Sequence, residues 1–210
     1  MGTVDQHTHP EHRVHISYSR IVELVETGSN VLDLGCGDGE LLLRLMREKQ
    51  VRGRGVDIEE SMILQCISKG LSVFQGNLEE GLKDYPTGSY DYVILNHTLQ
   101  MIHDPAMLIQ EMVRVGRFAV VNFPNFGHIL NRMQLVFGGR MPVNRNIPYE
   151  WYNTPNIHFC TRKDFVELCS TLKLDIVRSI DMTRRHTAPP FLHNLLATET
   201  CFVLTNTHRS

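Results

Sequence analysis

The 210-residue sequence lacks the features that mark membrane, secreted and nucleic-acid-binding proteins. It has no run of about 18 apolar residues that would cross a bilayer, and its N-terminus lacks the apolar core of a signal peptide. Neither sign of charge dominates, since 21 Lys and Arg stand against 23 Asp and Glu. We therefore predict a soluble cytoplasmic protein without a general attraction to nucleic acid or to membrane surfaces.

Clustered metal ligands are also scarce. The five cysteines are scattered, with no C-x-x-C pair and no Cys/His group at zinc spacing, so we expect reduced thiols and no metal site. Four histidines fall in a polar N-terminal segment, at His7, His9, His12 and His15. Such a tract binds metal only when its ligands converge, and we predict a mobile tail over residues 1–15 instead.

The most informative stretch that is present covers residues 31–39, with the sequence VLDLGCGDG. An apolar run that ends in an acid and three alternating glycines predicts a buried strand and a tight loop, with a helix starting at Glu40. Glycine has no Cβ, so it lets the backbone turn sharply and lets a ligand come close. The stretch is therefore predicted to bind a small molecule through Asp33, Gly35, Cys36, Gly37 and Gly39.

The residues of this loop discriminate between possible ligands. A dinucleotide fingerprint, G-x-G-x-x-G, would need glycine at the position of Glu40, and a P-loop would need a lysine after its glycines. The acidic side chains in the loop would also repel a phosphate. S-adenosylmethionine has a cationic amino group and a sulfonium but no phosphate, so the loop suits this ligand or its demethylated product, S-adenosylhomocysteine. The alternative is a tight strand-to-helix turn in another doubly wound protein.

Residues after the next two strands extend the predicted site. Asp57 lies 22 residues after Gly35, the separation at which an acid at the tip of the second strand accepts hydrogen bonds from both ribose hydroxyls. Ile58 follows it and is included in the cofactor site. Asn77, with Leu78, follows the third strand, where the asparagine amide would meet the adenine edge, although an ordinary loop asparagine explains the pattern equally well.

The fourth predicted strand ends at Leu95 and leads directly to Asn96 and His97. In an open parallel sheet the carboxyl ends of the strands line the ligand crevice, so we predict Asn96 beside the cofactor. His97 is the one general-base candidate near the transferable methyl group. The alternative for His97 is a solvent-facing or capping histidine.

Alternating strand and helix patterns predict one α/β domain over residues 16–210, after the tail. A helix over residues 17–27 leads into the first strand, and helices separate the first five strands. Seven strands are predicted, over residues 31–34, 52–58, 71–75, 90–95, 117–122, 174–182 and 200–206. This pattern matches the class I S-adenosylmethionine methyltransferase fold, a Rossmann-like sheet with strand order 3-2-1-4-5-7-6 and strand 7 antiparallel.

Residues 126–160 form an unusual segment, called the insert below, between the fifth strand and the following helix. Three arginines stand against a single acid, Glu150, with prolines and aromatic residues interleaved. Arginine and aromatic residues are typical of interfaces and lids. We predict partner contacts at Arg140, Tyr149, Trp151 and Tyr152, and the alternative is that Trp151 belongs to the core.

From about residue 30 to residue 169 the sequence resembles the methionine biosynthesis protein MetW family. The motifs that carry the resemblance are VLDLGCGDG at 31–39, VIL at 93–95 with TLQ at 98–100, FPNFGH at 123–128, GRMP at 139–142 and PYEWYNTPNIH at 148–158. The last two motifs are the most specific, because general methyltransferases do not share them. The sequence differs from the family pattern at Asn77, where an acid is usual, and at Asn96-His97, where Ser-Gln is common.

This resemblance implies a role in methionine biosynthesis beside a homoserine O-acyltransferase of the α/β-hydrolase fold (MetX-type), which the family supports as a partner. It implies no particular methyl acceptor. Two functions therefore stay open. The first is an S-adenosylmethionine-binding accessory or regulatory protein, and the second is a methyltransferase that acts on a small metabolite with the insert as its lid.

Overall fold

The computed structural model describes residues 11–144, 147–183 and 190–206. Seven strands form one sheet in the order β3-β2-β1-β4-β5-β7-β6, which confirms the predicted topology. The strands are β1 (Asn30–Leu34), β2 (Arg52–Asp57), β3 (Val73–Gln75), β4 (Tyr90–Asn96), β5 (Gly116–Pro124), β6 (Asp175–Met182) and β7 (Glu199–Thr205). The first five strands run parallel, and β7 pairs antiparallel with both β5 and β6.

Helices cover both faces of the sheet because successive side chains of a buried strand point to opposite faces. The helices are α1 (Glu11–Leu24), α2 (Glu40–Lys49), α3 (Glu60–Ser68), α4 (Pro105–Val115), α5 (Ile129–Gly138), α6 (Arg162–Thr171) and α7 (His193–Leu196). Leu32 and Leu34 of β1 pack in one core with α4 and α6. Val31 packs in a second core with α1 and α2. Among the described residues no helix has the length and apolarity that a membrane span requires.

The N-terminal helix differs from the prediction in both of its bounds. It begins at Glu11 and ends at Leu24, whereas the predicted helix covers residues 17–27. Residues 11–15 of the predicted tail are therefore helical, and residues 1–10 lie outside the described residues. Gly28 still has the left-handed φ of 79° expected of a glycine after a helix, because the chain must turn there to enter β1.

The connection between β3 and β4 lacks the predicted helix. A single 3-10 turn, Leu78–Glu80, takes its place. A groove of about 1370 Å³ lies beside this short connection and is lined by Arg54, Phe74 and Tyr85, among others. The groove lies along β2 and β3, and the glycine loop described next does not line it.

The insert contains a helix that the sequence did not predict. Helix α5 begins after His128, whose Nδ1 accepts a hydrogen bond from the Leu130 N–H at 3.2 Å. It ends at Gly139, which has a left-handed φ of 60°. Periodicity failed to indicate this helix because its buried residue is the polar Asn131, while most of its apolar residues are exposed.

Candidate functional site

Residues 35–39, the glycine loop, connect β1 to α2 at the carboxyl edge of the sheet. The N–H groups of Gly35 and Cys36 both donate to the Val56 carbonyl of β2, at 2.8 and 3.1 Å. All three glycines have left-handed φ values of 66°, 54° and 78°, which side chains with a Cβ rarely adopt. The alternation of glycine in the sequence is therefore a backbone requirement of the turn.

The surroundings of the three glycines differ. A Cβ on Gly35 would lie 2.5 Å from Thr98 Oγ1, and a Cβ on Gly39 would lie 2.3 Å from Leu71 Cδ1. A Cβ on Gly37 would meet no atom within 4 Å. Gly35 and Gly39 thus allow close packing inside the protein, whereas Gly37 faces open space where a ligand has room. Cys36 is buried, and its Sγ packs against Gly55, so its side chain is a packing group of the loop.

Asp57 supports the glycine loop directly. Its Oδ2 accepts a hydrogen bond from the Gly37 N–H at 2.7 Å, and its Oδ1 accepts one from the Glu59 N–H at 3.0 Å. A carboxylate oxygen has two acceptor lone pairs, so each oxygen keeps capacity for a ribose hydroxyl. The next residue, Ile58, leaves 63% of its surface exposed beside this carboxylate and provides an apolar surface.

Asn77 and Leu78 follow β3 on the far side of Asp57. The Asn77 Oδ1 caps the 3-10 turn by accepting a hydrogen bond from the Glu79 N–H at 3.0 Å. This contact is the ordinary loop role that the sequence left open, and it holds the amide at the strand tip. Leu78 packs into the core, so its side chain does not face the crevice.

Asp33 is the buried acid of the site, and its side chain lies inside β1 immediately before the loop. Burial raises the pKa of its carboxyl from 3.8 to about 7, and the negative charge of Asp57 contributes to the same shift. A carboxyl with a pKa near 7 is partly protonated at neutral pH, and a nearby cation would favour its ionised form. A cationic molecule at this position would therefore interact with Asp33 more favourably than a neutral or anionic one.

Tyr18 of α1 interacts electrostatically with acidic residues of the glycine loop, and sequence reasoning did not single it out. Burial raises the pKa of its phenol, and the negative charges of Asp33, Asp38 and Glu40 raise it further. The phenol therefore lies close to the acidic side of the glycine loop. Its position depends on how α1 packs beside β1, and nothing in the local sequence marks this tyrosine.

Asn96 and His97 lie at the end of β4, next to β1 in the sheet. The Asn96 Oδ1 accepts a hydrogen bond from Asn122 Nδ2 at 2.7 Å, and the His97 N–H donates to the Asn122 carbonyl at 2.9 Å. His97 has a left-handed φ of 57°. Its Nε2 lies 3.2 Å from Oε2 of Glu199, whose side chain is 6% exposed. Sequence reasoning missed Glu199 because the antiparallel register of β7 brings it to this position.

The insert covers the carboxyl ends of β4 and β5. The N–H groups of Ile157 and His158 donate to the Gln100 carbonyl at 2.8 and 3.0 Å. Beneath them lies a cavity of about 20 Å³, lined mainly by apolar side chains that include Phe123, Phe126, Ile147 and Phe159. A volume of this size holds about one water molecule. The insert therefore fills the space over β4 and β5 with its own side chains.

The predicted partner residues all lie on the surface of the insert. Arg140 is exposed, and Tyr149, Trp151 and Tyr152 expose 45%, 71% and 70% of their surface. The alternative that Trp151 belongs to the core is therefore wrong. Its ring instead contacts Tyr152 edge to face, with 5.7 Å between the ring centroids.

Within the described ranges, no group of three His, Cys, Asp or Glu side chains comes together as a metal site. His7 and His9 of the N-terminal tract lie outside the described residues. Burial is the main cause of a raised thiol pKa at each of the five cysteines, Cys36, Cys66, Cys160, Cys169 and Cys201. These thiols are packing residues, since a raised pKa keeps them protonated and unreactive.

Comparison of the fold with solved structures gives methyltransferases. A possible histamine N-methyltransferase from Thermotoga maritima aligns with a TM-score of 0.69 at 15% identity, over 94% of this chain and 91% of that chain. The magnesium protoporphyrin IX methyltransferase from Synechocystis PCC 6803, solved with bound S-adenosylhomocysteine, aligns with a TM-score of 0.65 at 18% identity, over 99% and 90%. Likeness at these identities establishes the class I methyltransferase fold alone.

Sequence comparison identifies the family. The profile described as methionine biosynthesis protein MetW matches residues 15–204. A bifunctional methionine biosynthesis protein MetXA/MetW from Rhodopirellula baltica is 35% identical over 185 residues, which cover 82% of this chain but only 30% of that protein. The match over residues 15–204, together with this identity, shows that the chain belongs to the MetW family of methionine biosynthesis proteins.

Proposed function

We propose that this protein binds S-adenosylmethionine or S-adenosylhomocysteine at its glycine loop and acts in the cytoplasm as an accessory or regulatory partner of a homoserine O-acyltransferase. The observation that carries the proposal is a contrast at one edge of the sheet. Gly37 faces open space, whereas the described residues of the insert enclose a cavity of about 20 Å³ over β4 and β5. This contrast supports a small-molecule site at the glycine loop rather than an acceptor site under the insert.

The residues at the open side suit S-adenosylmethionine. Asp57 offers two carboxylate oxygens with remaining acceptor capacity, and Ile58 offers an exposed apolar surface for a purine ring. Asp33 and Tyr18 form an acidic, largely buried corner for the cationic end of the ligand. Asn77 holds its amide at the tip of β3, where an adenine edge would be read. These groups match the nucleoside and the positive charge of the ligand.

When bound, S-adenosylmethionine supplies an electrophilic methyl group on a sulfonium. Among the described residues, the insert leaves a cavity of about 20 Å³ over β4 and β5, which is too small for a molecule that would receive this methyl. Phe126, Ile147 and Phe159 occupy the region over β4 and β5, and the Gln100 carbonyl holds the insert there through two hydrogen bonds. This arrangement favours ligand binding without turnover, which is what a sensor or an accessory subunit needs.

The choice of partner rests on the family and on the Rhodopirellula baltica relative. The name of that relative joins MetXA to MetW in one protein, and this chain matches 30% of its length. Where the MetW part is a separate chain, association with a separate MetX-type acyltransferase would restore the same combination. Arg140, Tyr149, Trp151 and Tyr152 give the insert the exposed arginine and aromatic residues that interfaces use.

One observation favours methyl transfer as the second candidate function. His97 lies at the end of β4 with its Nε2 3.2 Å from the buried Glu199 carboxylate. A carboxylate next to one ring nitrogen of a histidine fixes the orientation of the ring, as in many general-base pairs. A methyltransferase would need the insert to open before an acceptor reached His97, and a small metabolite would then be the substrate.

A homoserine acylation assay separates the two functions. Purified homoserine O-acyltransferase is assayed with and without this protein over a range of S-adenosylmethionine concentrations. We expect acylation to depend on the protein and this dependence to change with ligand concentration, which requires that the ligand bind the free and partnered states with different affinity. If acylation is indifferent to both additions and S-adenosylhomocysteine accumulates with a small-metabolite acceptor, the protein is a methyltransferase.

A further inference from the structure

Helix α5 is arranged with its apolar side chains towards solvent. Leu130, Met133, Val136 and Phe137 recur at helical spacing and expose 51%, 45%, 74% and 77% of their surface. The fully buried residue of this helix is Asn131. A single exposed apolar side chain is ordinary, but a contiguous apolar face on one helix marks an interaction surface.

Hydrogen bonds on the polar side of α5 join it to neighbouring residues of the insert. The Asn131 Nδ2 donates to the Phe126 carbonyl at 2.9 Å, and its Oδ1 accepts from Asn144 Nδ2 at 2.8 Å. The Arg132 Nε donates to the Gly127 carbonyl at 2.7 Å. These contacts fix the rotation of the helix, so its apolar face cannot turn inward without breaking them.

A helix this short gains most of its stability from packing of its apolar face, and that face is unpacked here. Burial of this face against a partner would therefore stabilise both the helix and the complex. Covering the four exposed side chains would remove a large apolar area from water in one step. The helix is ready to lie in a groove, in the manner of amphipathic helices that dock through residues at i, i+3 and i+7.

The charges around this face argue against a second copy of the chain as the occupant. From residue 127 to residue 149 the sequence contains arginine but no Asp or Glu, and Arg132 and Arg140 flank the face. A two-fold interface brings the same surface of both copies together, so these arginines would repel one another. A partner with an apolar groove and an acidic rim would be complementary instead.

We propose that α5 docks its outward face, residues Leu130, Met133, Val136 and Phe137, into an apolar groove with a carboxylate rim on the acyltransferase. This inference rests on the proposed function and names the element that makes the contact. The helix adjoins Arg140 in the chain and belongs to the same insert as the exposed Tyr149, Trp151 and Tyr152.

Two matched double variants test the inference in the full chain. The first, Met133→Gln with Phe137→Gln, removes the apolar face of α5 but keeps a good helix former at both positions. The control, Leu64→Gln with Ile67→Gln, removes two side chains of α3 that are 59% and 56% exposed and lie outside the ligand site. A single variant, Val136→Gln, repeats the test with a smaller change.

Affinity for purified homoserine O-acyltransferase is measured by calorimetry, beside the melting temperature and the affinity for S-adenosylmethionine. We expect the α5 double variant to bind the acyltransferase about 30-fold more weakly or worse, as expected for the loss of a hot spot. Its melting temperature and ligand affinity should match those of the α3 control, and Val136→Gln should fall between the two.

The other outcomes overturn the inference in distinguishable ways. Acyltransferase binding by the α5 variant at wild-type affinity places the docking surface elsewhere and leaves the proposed function intact. No acyltransferase binding by the wild-type chain removes the proposed function and this inference together. A wild-type dimer that the α5 variant converts to a monomer in sedimentation assigns the face to a second copy. Binding to anionic phosphatidylglycerol vesicles that only the α5 variant loses, with the complex unaffected, assigns it to a membrane.

Discussion

The glycine loop and the insert lie at the same edge of the sheet, but the loop exposes polar groups and the insert exposes apolar side chains. The glycine loop buries Cys36 and presents backbone and carboxylate groups, with Asp57 holding Gly37 in place. The insert buries Asn131 and presents apolar and aromatic side chains. Polar, hydrogen-bonded groups suit a small charged molecule, and an exposed apolar surface suits a protein. The difference indicates that the two regions have different binding partners.

The largest expected effect is on the free energy of unfolding, and it should differ between alanine variants of two glycines with similar backbone angles. Gly39 has a φ of 78° and Gly139 a φ of 60°, but only the Cβ of an alanine at Gly39 would meet close neighbours, at 2.3 Å from Leu71 and 2.8 Å from Cys66. We expect Gly39→Ala to lower the free energy of unfolding by about 2–5 kcal/mol, from left-handed strain and overpacking together. Gly139→Ala should cost only about 1–2 kcal/mol. Equal costs in urea denaturation would contradict the packing around the loop.

Asp57→Ala should weaken S-adenosylmethionine binding by about 1.5–3 kcal/mol, since hydrogen bonds to a charged group are worth roughly that much. The variant also removes the acceptor of the Gly37 N–H, so part of the loss comes from the loop. Calorimetric titration with S-adenosylmethionine and with NAD checks both affinity and choice of ligand. Unchanged affinity in the variant, or tighter binding of NAD by the wild-type chain, would remove the assignment of the site.

Trp151→Ala and Arg140→Ala test the other region. Tryptophan and arginine are typical hot-spot residues, and each truncation should weaken the acyltransferase complex by about 2 kcal/mol. Because both side chains are exposed, the melting temperature and S-adenosylmethionine affinity should not change. Co-purification with the acyltransferase measures the complex. A retained complex with lost ligand binding would make the insert a lid and favour methyl transfer.

The smallest effect is a pH dependence confined to the ligand side. Because the pKa of Asp33 is raised to about 7, a cationic ligand that needs the ionised carboxylate must displace its proton. The affinity for S-adenosylmethionine should therefore rise about tenfold from pH 6 to pH 8, up to about 1.4 kcal/mol per pH unit. Calorimetry across this range measures the rise, and Asp33→Asn should abolish it while acyltransferase binding stays flat in both proteins.

The same carboxyl predicts a stability trend of definite sign. Its folded pKa of about 7 lies above the usual 3.8, so the folded state holds the proton more tightly than the unfolded chain. The contribution of Asp33 to the free energy of unfolding therefore falls as the pH rises from about 4 to about 7. Asp33→Asn should remove this fall, which urea denaturation at several pH values would reveal.

Local sequence patterns predicted the features that depend on residues close together in the chain. The alternating glycines at Gly35, Gly37 and Gly39 indicate left-handed turns, and apolar runs with glycine breaks predict the strands. Asp57 follows from its distance along the chain because one βαβ unit has a nearly constant length. The position of this acidic residue therefore follows from spacing along the chain, whereas the strand order follows from the match of the whole strand and helix pattern to the class I methyltransferase fold.

The remaining features depend on contacts between distant segments. Glu199 meets His97 only through the register of β7 on β5, and Tyr18 reaches the loop only through the packing of α1. Helix α5 was not predicted from the sequence. Periodicity analysis assumes that the apolar residues of a helix form its buried face, and in α5 the buried residue is the polar Asn131. A sequence rule that assumes an apolar interior cannot recognise a helix with an apolar exterior.

The two hydrogen bonds of Asp57 to the Gly37 and Glu59 N–H groups also have a kinetic consequence. They hold the glycine loop in its bent form before any ligand arrives, so little conformational entropy is lost when a nucleoside binds. A preformed site also needs no slow rearrangement before association. We expect occupancy to follow changes in ligand concentration promptly, without the delay of a folding step. A sensor built on this loop would report metabolite levels on the time scale of their own turnover.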